Sequence, residues 1–118
     1  MSQTTRNAIL SAQPNEIDFT LKIGDKTFKL KARQLTGEQS DAVSKYAIDE
    51  NGKMNPGAFY NCRIVHSVIE AKTGERLFED ADVDSLNGMP SSILNTLREK
   101  VSLACNDLTN EEVQERKK

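Results

Sequence analysis

The stretch 17-IDFTLKIGDKTFKLKAR-33 decides the fold. Ile17, Phe19, Leu21 and Ile23 alternate with Asp18, Thr20 and Lys22; beyond the turn at 24-GDK-26, Phe28, Leu30 and Ala32 alternate with Lys29, Lys31 and Arg33. Successive side chains of a strand point to opposite faces, so this period of two gathers the apolar residues on one face and the charges on the other. Two such runs around a Gly-Asp turn make an antiparallel hairpin. One face is wet, so the other must rest on separate apolar elements, and the rest of the chain supplies helices for it.

Downstream, Thr36 followed by Gln39 is a capping-box pattern that opens a helix carrying Ala42, Val43, Tyr46 and Ala47 as its apolar stripe. The segment 49-DENGKMNPG-57 ends that helix and turns the chain, and Asn55-Pro56 starts the next one, with Asn as cap and Pro in the first turn. Helical spacing continues from Pro56 to about Ala71. Ala58, Phe59, Cys62, Val65, His66 and Ile69 share one face, and Tyr60, Ile64, Val68 and Ala71 form a second, with Arg63, Ser67 and Glu70 as the polar strip between. A helix apolar on two sides is either sandwiched within the monomer or uses one side for a partner. After a turn and a short extended piece at 72-KTGERLF-78, the acidic 79-EDADVDSL-86 reads as about one helical turn. A last amphipathic helix is predicted from Ser91 to about Asn106, with Ile93, Leu94, Leu97, Val101, Ala104 and Cys105 on one arc and Leu103 off it. The expected architecture is α+β, an N-terminal antiparallel β-hairpin packed on a small bundle of three to five helices. Residues 1–16 read as a flexible N-terminal arm, 17–108 as a single domain, and 109–118 as a short charged C-terminal helix or tail opened by Thr109 and Glu112.

With 118 residues, there is room for one domain and a modest core. Charged residues are 29% of the chain and the net charge is −2, which gives no global basic field for nucleic acid. No apolar run is long enough for a membrane span and the N-terminus lacks a secretory leader, so a soluble cytoplasmic protein is expected. Two cysteines are too few for a disulfide-built scaffold, and reduced buried thiols are expected.

Chemistry-bearing residues are sparse. His66, the only histidine, stands four residues from Cys62, a spacing that lets two ligands share a metal on one helix. A zinc site needs three or four ligands, and no spacing selects the others; both residues also fit as core members of one helix face. Glu79, Asp80, Asp82 and Asp84 lack the EF-hand spacing, and there is no phosphate-binding glycine loop or GxSxG elbow. These residues predict no catalytic site, no cofactor and no metal. Charge is segregated: five Lys/Arg in the hairpin, and six acids between residues 70 and 84. That pattern fits a solvated sheet face, a contact between the two regions, or a head-to-tail contact between copies. Four cations without a groove-reading helix make a poor nucleic-acid interface.

The order of these elements resembles the tail assembly chaperones of long-tailed, lambda-like bacteriophages and prophages. The likeness runs over roughly residues 17 to 115. It rests on the hairpin FTLKIGDKTFKLKA, the LTGEQ helix start, the central NPGAFYNCRIVHSVIEAKTGERLF, the DVDSL segment and the helix SILNTLREKVSLACNDL. The resemblance implies a non-enzymatic protein of the host bacterial cytoplasm, absent from the mature virion. It would keep the tape measure protein soluble while the tail tube assembles. Implied partners are the tape measure protein, the tail-tube protein and further copies of the chain, with no nucleic acid and no membrane. A head–tail connector or tail-completion subunit is the alternative. From the local pattern alone, the surplus apolar residues Tyr60, Ile64, Val68 and Leu103 are the candidate partner-binding residues.

Overall fold

The structure is a computed structural model that describes residues 3–105. It is α+β, and the hairpin is formed by strands β1 (Glu16–Ile23) and β2 (Lys26–Arg33). Their register pairs Ile17 with Ala32, Phe19 with Leu30, Leu21 with Phe28 and Ile23 with Lys26. Gly24 makes the turn at φ 61°, a left-handed conformation that glycine adopts without steric cost. Phe19, Leu30 and Ala32 are buried, as the alternation requires. The far end of the hairpin departs from expectation: Ile23 is 47% exposed and Phe28 43%. Alternation fixes which face a side chain takes, and not how far along the strand that face is covered.

Helix α2 (Gly37–Ala47) starts with the capping box. Thr36 Oγ1 accepts from the Gln39 N–H at 3.2 Å, and Gln39 Oε1 accepts from the Thr36 N–H at 3.0 Å. Of the α2 stripe, Val43 and Ala47 are buried while Ala42 and Tyr46 face solvent. Helix α3 (Pro56–Ser67) is capped by Asn55, whose Oδ1 accepts from the Ala58 N–H at 3.1 Å. Helix α4 (Ser91–Ala104) lies under the sheet and buries Leu94, Leu97, Val101 and Ala104. The core gathers Phe19, Leu30 and Ala32 from the sheet, Val43 from α2, Cys62, Ile64 and Val65 from α3, and the apolar arc of α4.

The central helix is shorter than its pattern. It ends at Ser67, and Val68–Glu70 is a third strand, β3, that pairs antiparallel with β2 through Ala32↔Val68, Lys31↔Ile69 and Leu30↔Glu70. The β-branched Val68 and Ile69 suit a strand as well as a helix, and the open edge of β2 decides between them by offering ladder hydrogen bonds. Arg76 closes the other end of the step. Its Nε donates to the Val65 carbonyl at 3.2 Å, satisfying a group orphaned at the helix C-terminus where a cation is favoured. Two of the three expected polar-strip residues are interior as well: Arg63 and Ser67 are buried, Ser67 Oγ donates to the Arg33 carbonyl at 2.7 Å, and Glu70 stays exposed.

Within the segment expected as a flexible N-terminal arm, Gln3–Leu10 form a helix, α1, with none of its residues buried. The acidic stretch forms two short 3-10 turns, Asp80–Asp82 and Ser85–Gly88. The expected C-terminal helix at 109–118 lies outside the described residues.

Candidate functional site

The hairpin outruns its support. The tip of the hairpin lies beside the first turns of α4 and the connecting residues Leu77, Phe78, Met89 and Pro90. Between them opens an apolar groove of about 490 Å³. The hairpin contributes Leu21, Ile23 and Phe28; the connecting chain gives Leu77, Phe78 and Met89; α4 gives Ile93 and Leu97. No charged residue lines it. Leu77, at 42% exposure, joins Ile23 and Phe28 as large apolar side chains facing water at its rim. Clustered exposed apolar residues of this kind are uncommon on a protein that acts alone.

The four partner-binding candidates fare differently. Ile64 and Val68 are wholly buried, with no exposed area, and Val68 belongs to a strand rather than to the helix face assigned to it. In this fold they hold the core and offer nothing to a partner, because the sheet and α4 cover the side of α3 that the pattern left open. Tyr60 remains 39% exposed, and Leu103 is half-buried. Tyr60 is engaged from two sides: the Phe59 ring meets it edge-on at 5.4 Å, and the Arg98 guanidinium lies 5.6 Å from its centroid. Arg98 is itself held by the buried Asn61, whose Oδ1 accepts from Nη2 at 2.9 Å while its Nδ2 donates to Asn87 Oδ1 at 2.8 Å. Tyr60 also borders a second groove, of about 410 Å³ and mixed polarity, with Leu35, Val43, Phe59, Arg63 and Cys105. The guanidinium of Arg63 stacks over Phe59 at 5.3 Å there.

Cys62 and His66 fit their environment as packing groups. Cys62 is buried, and desolvation pushes its thiol pKa up, with the Asp80 carboxylate adding to the effect. A thiol held protonated is a poor nucleophile and a poor metal ligand. Burial lowers the pKa of the half-buried His66, and Arg76 pushes it the same way. Asp80 is occupied by Arg76 Nη2 at 2.8 Å, which holds its carboxyl below the usual range. Among the described residues, no three His, Cys, Asp or Glu side chains converge on a point where a metal ion would sit. Both cysteines are free thiols.

Part of the segregated charge is answered close to home. Glu16 takes Arg33 at 2.8 Å and Lys31 at 3.8 Å, and Asp18 also approaches Lys31 at 3.8 Å. The hydrogen-bonded Arg33 guanidinium holds the Glu16 carboxyl below its ordinary range. Among the described residues, no helix is long and apolar enough to cross a membrane. Of the groove residues, the sequence pattern marks Leu21, Ile23, Phe28, Ile93 and Leu97 as members of apolar faces, while Leu77, Phe78 and Met89 fall in connecting segments where no periodicity marks them. Compared with known proteins, the chain matches no family model, and neither the curated proteins nor the solved structures contain a significant match.

Proposed function

We propose that this chain is a non-enzymatic binding protein that shields an apolar helical client, acting as a phage tail assembly chaperone for the tape measure protein. One observation carries the reading: the charge-free groove at the hairpin tip, with Ile23, Phe28 and Leu77 exposed at its rim. An amphipathic helix laid into such a groove buries spaced apolar anchors against it, and the long helical client of a tail chaperone presents many such segments. The element order described for the resemblance supports the same reading. The groove, and not the α3 face, is the client surface in this reading, because Ile64 and Val68 are core.

Co-expression with a tape measure protein tests it. The wild type raises the soluble yield of the client and co-purifies with it. Ile23→Asp with Phe28→Asp loses both effects while circular dichroism and cooperative melting stay those of the wild type, since both side chains are already half in water. If the wild type neither solubilises nor retains the client, the chaperone reading fails and the connector reading replaces it.

A further inference from the structure

The sheet has the order β1-β2-β3, so β1 is an edge strand. The ladder fixes which of its backbone groups face outward. Lys29 O accepts from the Ala71 N–H, so the odd-numbered residues of β2 bond toward β3 and the even-numbered ones toward β1. By the register, Ile17, Phe19, Leu21 and Ile23 bond to β2. Glu16, Asp18, Thr20 and Lys22 therefore aim their N–H and C=O groups outward, and among the described residues no backbone group pairs with them. The edge is eight residues long and contains no proline. An unpaired edge of this length is a ready template for pairing with another strand.

We infer that β1 pairs antiparallel with β1 of a second copy, joining two three-stranded sheets across a twofold axis at Phe19. The charge along the edge selects this partner. It runs from Glu16 and Asp18 at one end to Lys22 at the other, so it is complementary to its own reverse. With Phe19 opposite the partner's Phe19, Glu16 meets the partner's Lys22, Thr20 meets the partner's Asp18, and Ile17 meets the partner's Leu21. A parallel pairing would set like charges side by side. The outward backbone groups fall into hydrogen-bonding positions in this register, because they are the even-numbered residues on both strands.

The same register gives the orphaned helix α1 a place. Gln34 ties down the point where the arm leaves the sheet: its N–H donates to Asn15 O at 2.8 Å and its Oε1 accepts from the Asn15 N–H at 3.2 Å. Continuing the register by one residue sets Asn15 opposite the partner's Ile23. The arm thus emerges beside the partner's hairpin tip, and the exposed Ile9 and Leu10 extend the wall of its groove. Its own tip is beyond reach. At about 3.3 Å per residue, Ile23 lies roughly 23 Å from Glu16 along β1. Helical turns persist to Ala12, leaving only Gln13–Asn15, about 10 Å of chain, as a linker. This inference stands apart from the client reading: a dimer without chaperone activity, or a chaperone that is monomeric, would each refute one and leave the other.

Light scattering on the full chain tests it. The wild type is expected at twice the 13.2 kDa chain mass across the micromolar range. Thr20→Pro removes an outward N–H and leaves the β1–β2 ladder whole, so this variant is expected to be a folded monomer. A monomeric wild type, or an assembly that folded Thr20→Pro leaves intact, overturns the proposal. Asp18→Cys with Thr20→Cys decides the matter independently of that variant's folding. Opposed residues of a hydrogen-bonded pair lie about 5.5 Å apart at Cα, within disulfide range, so oxidation should give a covalent dimer that reductant reverses. Failure to cross-link overturns the pairing and its register.

Discussion

Ile64→Ala compared with Ile23→Ala separates the interior of this fold from its binding surface. Both changes remove the same atoms. Ile64 has no exposed area and sits where α3 meets the core cluster. Its truncation loses the full transfer free energy and leaves a cavity, together about 3–4 kcal/mol in a close-packed interior. Ile23 is 47% exposed, so about half the transfer term is at stake and no enclosed cavity forms. Its cost should be about 1 kcal/mol or less. A small domain has about 5–15 kcal/mol of stability in all, so the first change is a large fraction of it. Urea unfolding followed by far-ultraviolet circular dichroism reads the difference directly. With a slope of about 1–3 kcal/mol per molar, Ile64→Ala should move the midpoint by one molar or more, and Ile23→Ala by a few tenths. Equal midpoint shifts would refute the assignment of Ile64 to the core and of Ile23 to the groove rim.

Three further outcomes are expected. Thr36→Ala deletes the α2 cap and should cost about 1 kcal/mol in the same urea assay, with Thr36→Ser retaining most of it. His66 has its folded pKa depressed below 6.5, so the unfolded chain takes up a proton that the folded chain resists. Its contribution is therefore complete above pH 6.5 and is lost as pH falls from there toward the folded value; His66→Gln should flatten the midpoint-against-pH curve in that window. Thiol alkylation followed by mass spectrometry should modify the half-buried Cys105 first, and Cys62 only on unfolding, because Cys62 is buried with a raised pKa.

The hairpin was legible because its information is local. The period of two, the Gly-Asp turn and the resulting register are all written within seventeen residues, and the caps at Thr36 and Asn55 are each written within four. The end of α3 was not legible. Nothing between Pro56 and Ala71 interrupts the helical spacing, and Val68 leaves the helix because β2, some thirty-six residues earlier, offers it a ladder. The same cause defeated the site assignment. A two-faced helix requires a second contact, and pattern alone does not say that the sheet and α4 supply it. Arg63 and Ser67 read as a polar strip, and the buried Asn61 drew no notice, because burial of polar groups depends on partners distant in sequence, such as the Arg33 carbonyl for Ser67 and Asn87 for Asn61. Exposure at Ile23 and Phe28 depends on which tertiary neighbours reach the hairpin tip, and alternation along a strand carries no signal of that.

The pairing of β3 with β2 also governs the order in which the molecule can assemble. Ala32 and Val68 are partners separated by thirty-six residues, and closing a loop of that length costs about 3 kcal/mol of chain entropy beyond the constant term. Three residue pairs are too few to repay it alone. Helices α2 and α3 must first shorten the intervening chain into a packed pair, after which Val68 is delivered to the edge by the end of α3. The third strand is therefore expected to form late on the folding pathway. Truncating Val68 should accelerate unfolding in stopped-flow kinetics and leave the refolding rate nearly unchanged, whereas lesions at the α2–α3 contact, such as Val43→Ala, should slow refolding.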